Sequence, residues 1–140
     1  MPVVAAPIAA YVPALRVGNL LLVSGQLPMR EGKLSCAGAV PSVVAIDVAK
    51  AAAAQCALNG LAAAGAALGG DWSKLSRVVR LGVFVLSDAG FGGQAQVANG
   101  ASELMEKIFG EFGRHVRAAV GASALPLGAT VEIEMTFEVA

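Results

Sequence analysis

The chain has 140 residues, with ten Lys plus Arg balancing ten Asp plus Glu, so its formal net charge is zero. No basic footprint for nucleic acid or an anionic membrane is visible in that balance. Hydrophobic residues make up 56% and charged residues only 14%, an apolar surplus for one domain of this size, read here as spanning 1–140. Part of that surplus is expected to face another subunit, although much of it is alanine.

Cys36 and Cys56 stand in no metal-ligand spacing and His115 is the single histidine, so neither a metal site nor a structural disulfide is expected. Met1-Pro2-Val3-Val4 lacks a basic region followed by a long apolar run, which points to a cytoplasmic protein. The most apolar long window, 48–68, contains Lys50, Gln55 and Asn59 and is mostly Ala and Gly, a poor membrane span.

In chain order, the apolar run 20–23 ends at Ser24-Gly25, and Leu27-Pro28 leads to the turn-prone Arg30-Glu31-Gly32-Lys33. This predicts two strands joined by a hairpin-like connection. Pro41-Ser42 offers a turn and a side-chain cap for a helix over 43–68, stopped by Gly69-Gly70. Ile46, Ala49, Ala53, Cys56 or Ala57, Gly60, Leu61, Ala64 and Leu68 form a stripe of mostly small side chains that suits close packing on a sheet. Gly60 and Gly65 each cost about 1 kcal/mol against Ala in an exposed helix, so close packing is the expected compensation.

Residues 75–86 are dense in Val and Leu and predict a long, largely buried strand. Gly90-Phe91-Gly92-Gly93 breaks the chain and lacks the context of a nucleotide-binding loop. A second helix follows through Val97, Ala101, Leu104, Met105, Ile108 and Phe109, with Gly110 near its end. Two strands close the chain. In 130–139 alternation puts Val131, Ile133, Met135, Phe137 and Val139 on one face and Glu132, Glu134, Thr136 and Glu138 on the other. The predicted order is ββαβαββ, an α+β domain with two helices covering one sheet face.

Three motifs carry a resemblance: the strand end Val23-Ser24-Gly25-Gln26-Leu27-Pro28, Arg117 eight residues before the turn Leu125-Pro126-Leu127-Gly128, and the strand Val131-Glu132-Ile133-Glu134. Over nearly the whole chain the sequence resembles the RidA/YjgF family of reactive-intermediate (imine and enamine) deaminases. The resemblance implies a chorismate-mutase-like fold and a homotrimer with ligand clefts between subunits. It also implies cofactor-free chemistry on a small carboxylate-bearing molecule.

A guanidinium offers a planar carboxylate two parallel hydrogen bonds, and Arg117 interrupts a run of small and apolar residues. From the residues alone, a structural Arg that pairs with Glu132 or reaches solvent is the favoured reading; the resemblance reverses this and implies that Arg117 anchors the carboxylate of a 2-imino or 2-keto acid. Glu132 matches the first Glu of the family's strand motif, which implies that it positions a water, whereas Glu134 and Glu138 share its parity and an ordinary solvated strand face is the alternative. Tyr11 matches a phenol that lines the family's cleft. Ser24 and Gly25 offer close backbone approach to a ligand, or merely a bend. Asn99 corresponds to the family's helix-starting Asn, and Ala119 falls where the family uses main-chain groups on the ligand.

The chain departs from the family at Gly113-Arg114-His115-Val116, which replaces a Pro-Ala approach to the Arg, and at Ala118, where Ser or Thr is common. These departures mark a divergent branch. His115 is either an acid or base near the cleft or a surface side chain. Two functions follow: hydrolytic deamination of a carboxylate-bearing imine or enamine, or a 2-keto-acid-binding, regulatory trimer without useful turnover. An endoribonuclease role is disfavoured by neutral charge and by one Trp, one Tyr and one His, too few for an RNA groove with stacking platforms.

Overall fold

The computed structural model describes residues 1–7 and 9–140. Its elements in chain order are β1 (Ala14–Val17), β2 (Leu20–Gln26), β3 (Met29–Arg30), β4 (Lys33–Leu34), α1 (Ile46–Ala67), β5 (Leu75–Leu86), α2 (Gln94–Phe109), β6 (Val116–Ala122) and β7 (Val131–Val139). Five strands form one sheet in the order β1-β2-β7-β5-β6, in which only β5 and β6 run parallel. The α2 crossover between those two strands makes the parallel pair possible. This is the predicted α+β architecture with two helices on one sheet face.

Two expectations need correction. The partner of β2 in the first hairpin lies upstream, at Ala14–Val17, while the residues beyond Pro28 form a separate two-stranded ribbon, β3–β4. Short alternation around Arg16 hid β1 in the sequence. The Pro41-Ser42 pair does not cap α1: Ser42 spends its backbone N–H and its hydroxyl on the Asp88 carboxylate, at 2.8 Å each. The helix begins three residues later than expected, with Ala45 at the N-cap position and no side-chain cap.

Burial in β7 alternates strictly, with Val131, Ile133, Met135, Phe137 and Val139 inside, as the pattern requires. These residues pack with Leu81, Val83 and Val85 of β5 under the small stripe of α1 and under Val97, Ala101 and Met105 of α2. The glycines in α1 are compensated as expected. A Cβ at Gly60 would run into Met135 Sδ, and one at Gly65 into the Trp72 ring. Gly100 of α2 lies directly on the Lys50 carbonyl of α1, which sets the separation of the two helices.

Among the described residues no helix covers the other sheet face. The ladder registers align Leu15 and Leu22, Leu22 and Thr136, Phe84 and Glu132, and Phe84 and Val120 across that face. Leu15, Val17, Leu22, Val116 and Val120 are exposed there. So much uncovered apolar surface on a sheet is what a subunit contact would bury.

Candidate functional site

Ser24 and Gly25 form a β-bulge. Val23 pairs with Met135 and Gln26 with Ile133, so three steps along β2 match two along β7 and one residue is extra. Each residue of the Ser-Gly-Gln motif has a task in this bulge. The Ser24 hydroxyl donates to the Val12 carbonyl at 2.7 Å, and the Ser24 N–H donates to Pro13 O, which ties the Tyr11 segment to β2. Gly25 leaves room for the Glu132 side chain, since a Cβ there would clash with Glu132 Oε1. Gln26 is buried and its amide donates at 3.0 Å to the Ser24 carbonyl.

The wall beside the bulge is held from below. Asn59, buried in α1, donates to the Leu27 and Met29 carbonyls at 3.0 Å each and accepts from Gln55. Tyr11, Ser24, Gly25, Gln26, Glu132 and Glu134 then line one open cavity of about 1390 Å³, bounded elsewhere by residues 1–7, the β3–β4 turn and Leu127. Leu127 sits in the Leu-Pro turn with φ 59°, a conformation that an L residue adopts only under constraint.

Within this cavity the two strand carboxylates differ. Glu134 pairs with Arg80 at 3.1 Å. The ion pairs among the described residues are that one and Lys50–Glu103, so Glu132 has no cation beside it. Partial burial, and secondly the negative charge of Glu134, hold the Glu132 carboxyl above the ordinary carboxylate range. Its proton is therefore exchanged nearer to neutral pH than that of a surface glutamate.

Arg117 builds a second cluster. It stands on β6, in register with Leu81 of β5, and reaches the α2 surface. Its Nη1 donates to Asn99 Oδ1 at 2.8 Å and to Ser102 Oγ at 3.0 Å, and its Nη2 donates to the Ala95 carbonyl at 3.2 Å. Ala95, Asn99 and Ser102 recur at helical steps, so one face of α2 grips one guanidinium. Among the described residues Nε–H has no partner. Nε–H and the second Nη2 hydrogen are left over, two donors on one edge of a planar group. Ala119 lies two residues along β6 on the same face, packed against the core.

One chain does not bring Arg117 and Glu132 together. Arg117 aligns through Leu81 with Met135, whereas Glu132 aligns with Phe84, and these rows point to opposite faces of the sheet. Tyr11, Ser24, Gly25 and Glu132 gather on the open side; Arg117, Asn99 and Ala119 gather on the helix side. The reading in which Arg117 pairs with Glu132 inside the chain is therefore overturned. His115 is engaged at both ring nitrogens, with Nδ1 2.6 Å from the Gly113 carbonyl and Nε2 2.8 Å from Ser102 Oγ.

Sequence reasoning left Gln26, Asn59 and Ser102 without roles. A polar residue inside a stripe of Ala and Gly marks Asn59, and spacing of three from Asn99 marks Ser102. Among the described residues, no helix is long and apolar enough to cross a membrane, and no group of three or more His, Cys, Asp or Glu is placed to hold a metal ion.

Comparison with known proteins gives consistent relatives. The family profile of endoribonuclease L-PSP matches residues 3–139. Protein TCP17 of Trypanosoma cruzi is 43% identical over 139 residues, 99% of this chain and 86% of its own. The crystal structure of Atu1372 from Agrobacterium tumefaciens, whose function is given as unknown, is 50% identical and superposes with a TM-score of 0.91 over 94% of this chain and 83% of that one. RidA from the Antarctic bacterium Psychrobacter sp. is 29% identical, with a TM-score of 0.61 over 97% of this chain and 94% of its own.

Proposed function

The chain belongs to the endoribonuclease L-PSP family, which includes the RidA and YjgF proteins, and from that premise we propose that it hydrolyses a small carboxylate-bearing imine or enamine, without a cofactor, at a cleft between subunits. The observation that carries this reading is the division of labour across the sheet. A carboxyl with a raised pKa and no cation is seated on the Gly25 bulge at one face, and a gripped guanidinium with free donors stands at the other. In this reading the open face of one copy meets the β6 edge of another, so that Glu132 of the first and Arg117 of the second reach one ligand.

In that cleft Arg117 fixes the substrate carboxylate and Glu132 takes a proton from a water as the water oxygen bonds to the imine carbon. The C=N π electrons pass to nitrogen, which receives that proton. A second proton transfer from the new hydroxyl to nitrogen releases ammonia and leaves the keto compound. The Tyr11 phenol and the backbone at Ser24, Gly25 and Ala119 line the path of the ligand.

A second reading is a 2-keto-acid-binding trimer without useful turnover. It is favoured by one observation: the bonds that hold the Arg117 guanidinium, to Asn99 and Ser102, are complete within one chain and do not involve Glu132. The two readings part in one experiment. Imines are generated in situ from several amino acids by an amino-acid oxidase and their decay is followed with and without the protein. Faster decay supports deamination; no acceleration across a broad panel, with carboxylates still binding through Arg117, leaves the binding protein.

A further inference from the structure

His115 and Ser102 form a directional chain of hydrogen bonds that ends on Arg117. The Gly113 carbonyl is only an acceptor, so His115 Nδ1, 2.6 Å away, carries the hydrogen. In the neutral ring Nε2 is then an acceptor, and Ser102 Oγ at 2.8 Å donates to it. That leaves the Ser102 oxygen to accept from Arg117 Nη1 at 3.0 Å. Each group in the sequence guanidinium, hydroxyl, imidazole, carbonyl thus donates to the next, an arrangement in which each bond polarises its neighbour. The far end is anchored as well. Gly113 lies so close to α2 that a Cβ would run into the Met105 carbonyl, which fixes the carbonyl that receives the Nδ1 hydrogen.

We propose that His115 and Ser102 are positioning residues for Arg117: they hold Nη1 on the α2 side so that Nε–H and the second Nη2 hydrogen face the ligand carboxylate, and they take no part in chemistry at the C=N bond. The proposal rests on the carboxylate-anchoring reading of Arg117 given above. It assigns a task to His115, which stands in the segment that replaces the Pro-Ala approach.

The variants are Ser102→Ala, Ser102→Thr and His115→Phe, measured by calorimetry with 2-oxobutanoate and, where an imine is turned over, by steady-state kinetics. Ser102→Ala and His115→Phe are expected to weaken binding and raise KM by roughly tenfold, the weight of one hydrogen bond to a charged group, with kcat within about twofold. Ser102→Thr keeps the hydroxyl and should restore wild-type affinity. Wild-type affinity in Ser102→Ala, or a kcat loss as large as the KM change, overturns the proposal.

A second readout is independent of turnover and of ligand. His115 is the single histidine, so nitrogen-15 spectra report one imidazole. The Nδ1–H tautomer is expected, with the Nε2 resonance shifting in Arg117→Met as Ser102 loses its donor. An Nε2–H tautomer, or an Nε2 signal indifferent to Arg117→Met, overturns the chain of bonds. If no carboxylate binds the wild type, the anchoring function fails, and the histidine spectra still decide whether the bonds to Arg117 exist.

Discussion

The Gly25 backbone lies against the carboxylate of Glu132, so close that a methyl group at residue 25 would clash with Oε1. A bulge in β2 and a glutamate on β7 are thus fitted to one another. The atom displaced is the far end of a flexible side chain. Gly25→Ala is therefore expected to change folding stability by less than about 1 kcal/mol while lowering imine turnover by about tenfold or more, equivalent to ~1.4 kcal/mol in the barrier. Denaturant unfolding alongside kinetics checks both halves, and a stable variant with full turnover removes Glu132 placement from the function.

Arg117→Ala should cost at least ~1.5–3 kcal/mol of carboxylate binding, the scale of hydrogen bonds to a charged group. Arg117→Lys should recover little of it, because an ammonium cannot satisfy Asn99, Ser102 and the Ala95 carbonyl and still present two donors to a ligand. Calorimetry with 2-keto acids measures this; unchanged affinity in Arg117→Ala means that the residue is structural.

The pH dependence has a definite sign. Glu132 acts as a base only when ionised, and its pKa is raised, first by burial and then by Glu134. Activity should fall as pH drops through that raised value. Glu134→Gln removes one of the two causes and should move the acid limb of kcat/KM toward lower pH. Glu132→Gln should abolish that limb and lower kcat more than ligand affinity. An acid limb that survives in Glu132→Gln belongs to another group.

Light scattering should give a mass near three chains of 14.0 kDa each, because the open sheet face leaves Leu15, Val17, Leu22, Val116 and Val120 uncovered. Replacing Val120 with Glu puts a charge beside Phe84 on that face and should shift the mass toward one chain, with turnover lost and the fold retained. A mass near 14.0 kDa in the wild type, independent of concentration, excludes the intersubunit cleft.

Gly100→Ala should destabilise the chain by about 1–3 kcal/mol, since the added methyl meets the Lys50 backbone, which cannot swing aside as a side chain can. The denaturant midpoint measures it.

Much of this was legible in residue order because it depends on short periods. Strict alternation in β7 dictates which side chains are buried, and the small stripe of α1 requires a close partner whatever that partner is. Arg117 was visible as a charge interrupting small and apolar residues, whereas Glu132 shares its parity with Glu134 and Glu138 and was singled out by the family resemblance alone. Their separation was not visible: which sheet face a side chain takes follows from the register of β6 on β5 and of β5 on β7, and those pairings join residues far apart in the chain. For the same reason Ser42 promised a cap and instead bonds to Asp88, 46 residues away. The β1 strand went unread because four residues around a charged Arg16 carry too little periodic signal. Local sequence determined the two helices, the long strands β5 and β7 and their buried faces, since neighbours along the chain set that chemistry, whereas the tertiary pairing alone decided that the carboxylate and the guanidinium occupy opposite faces of one sheet.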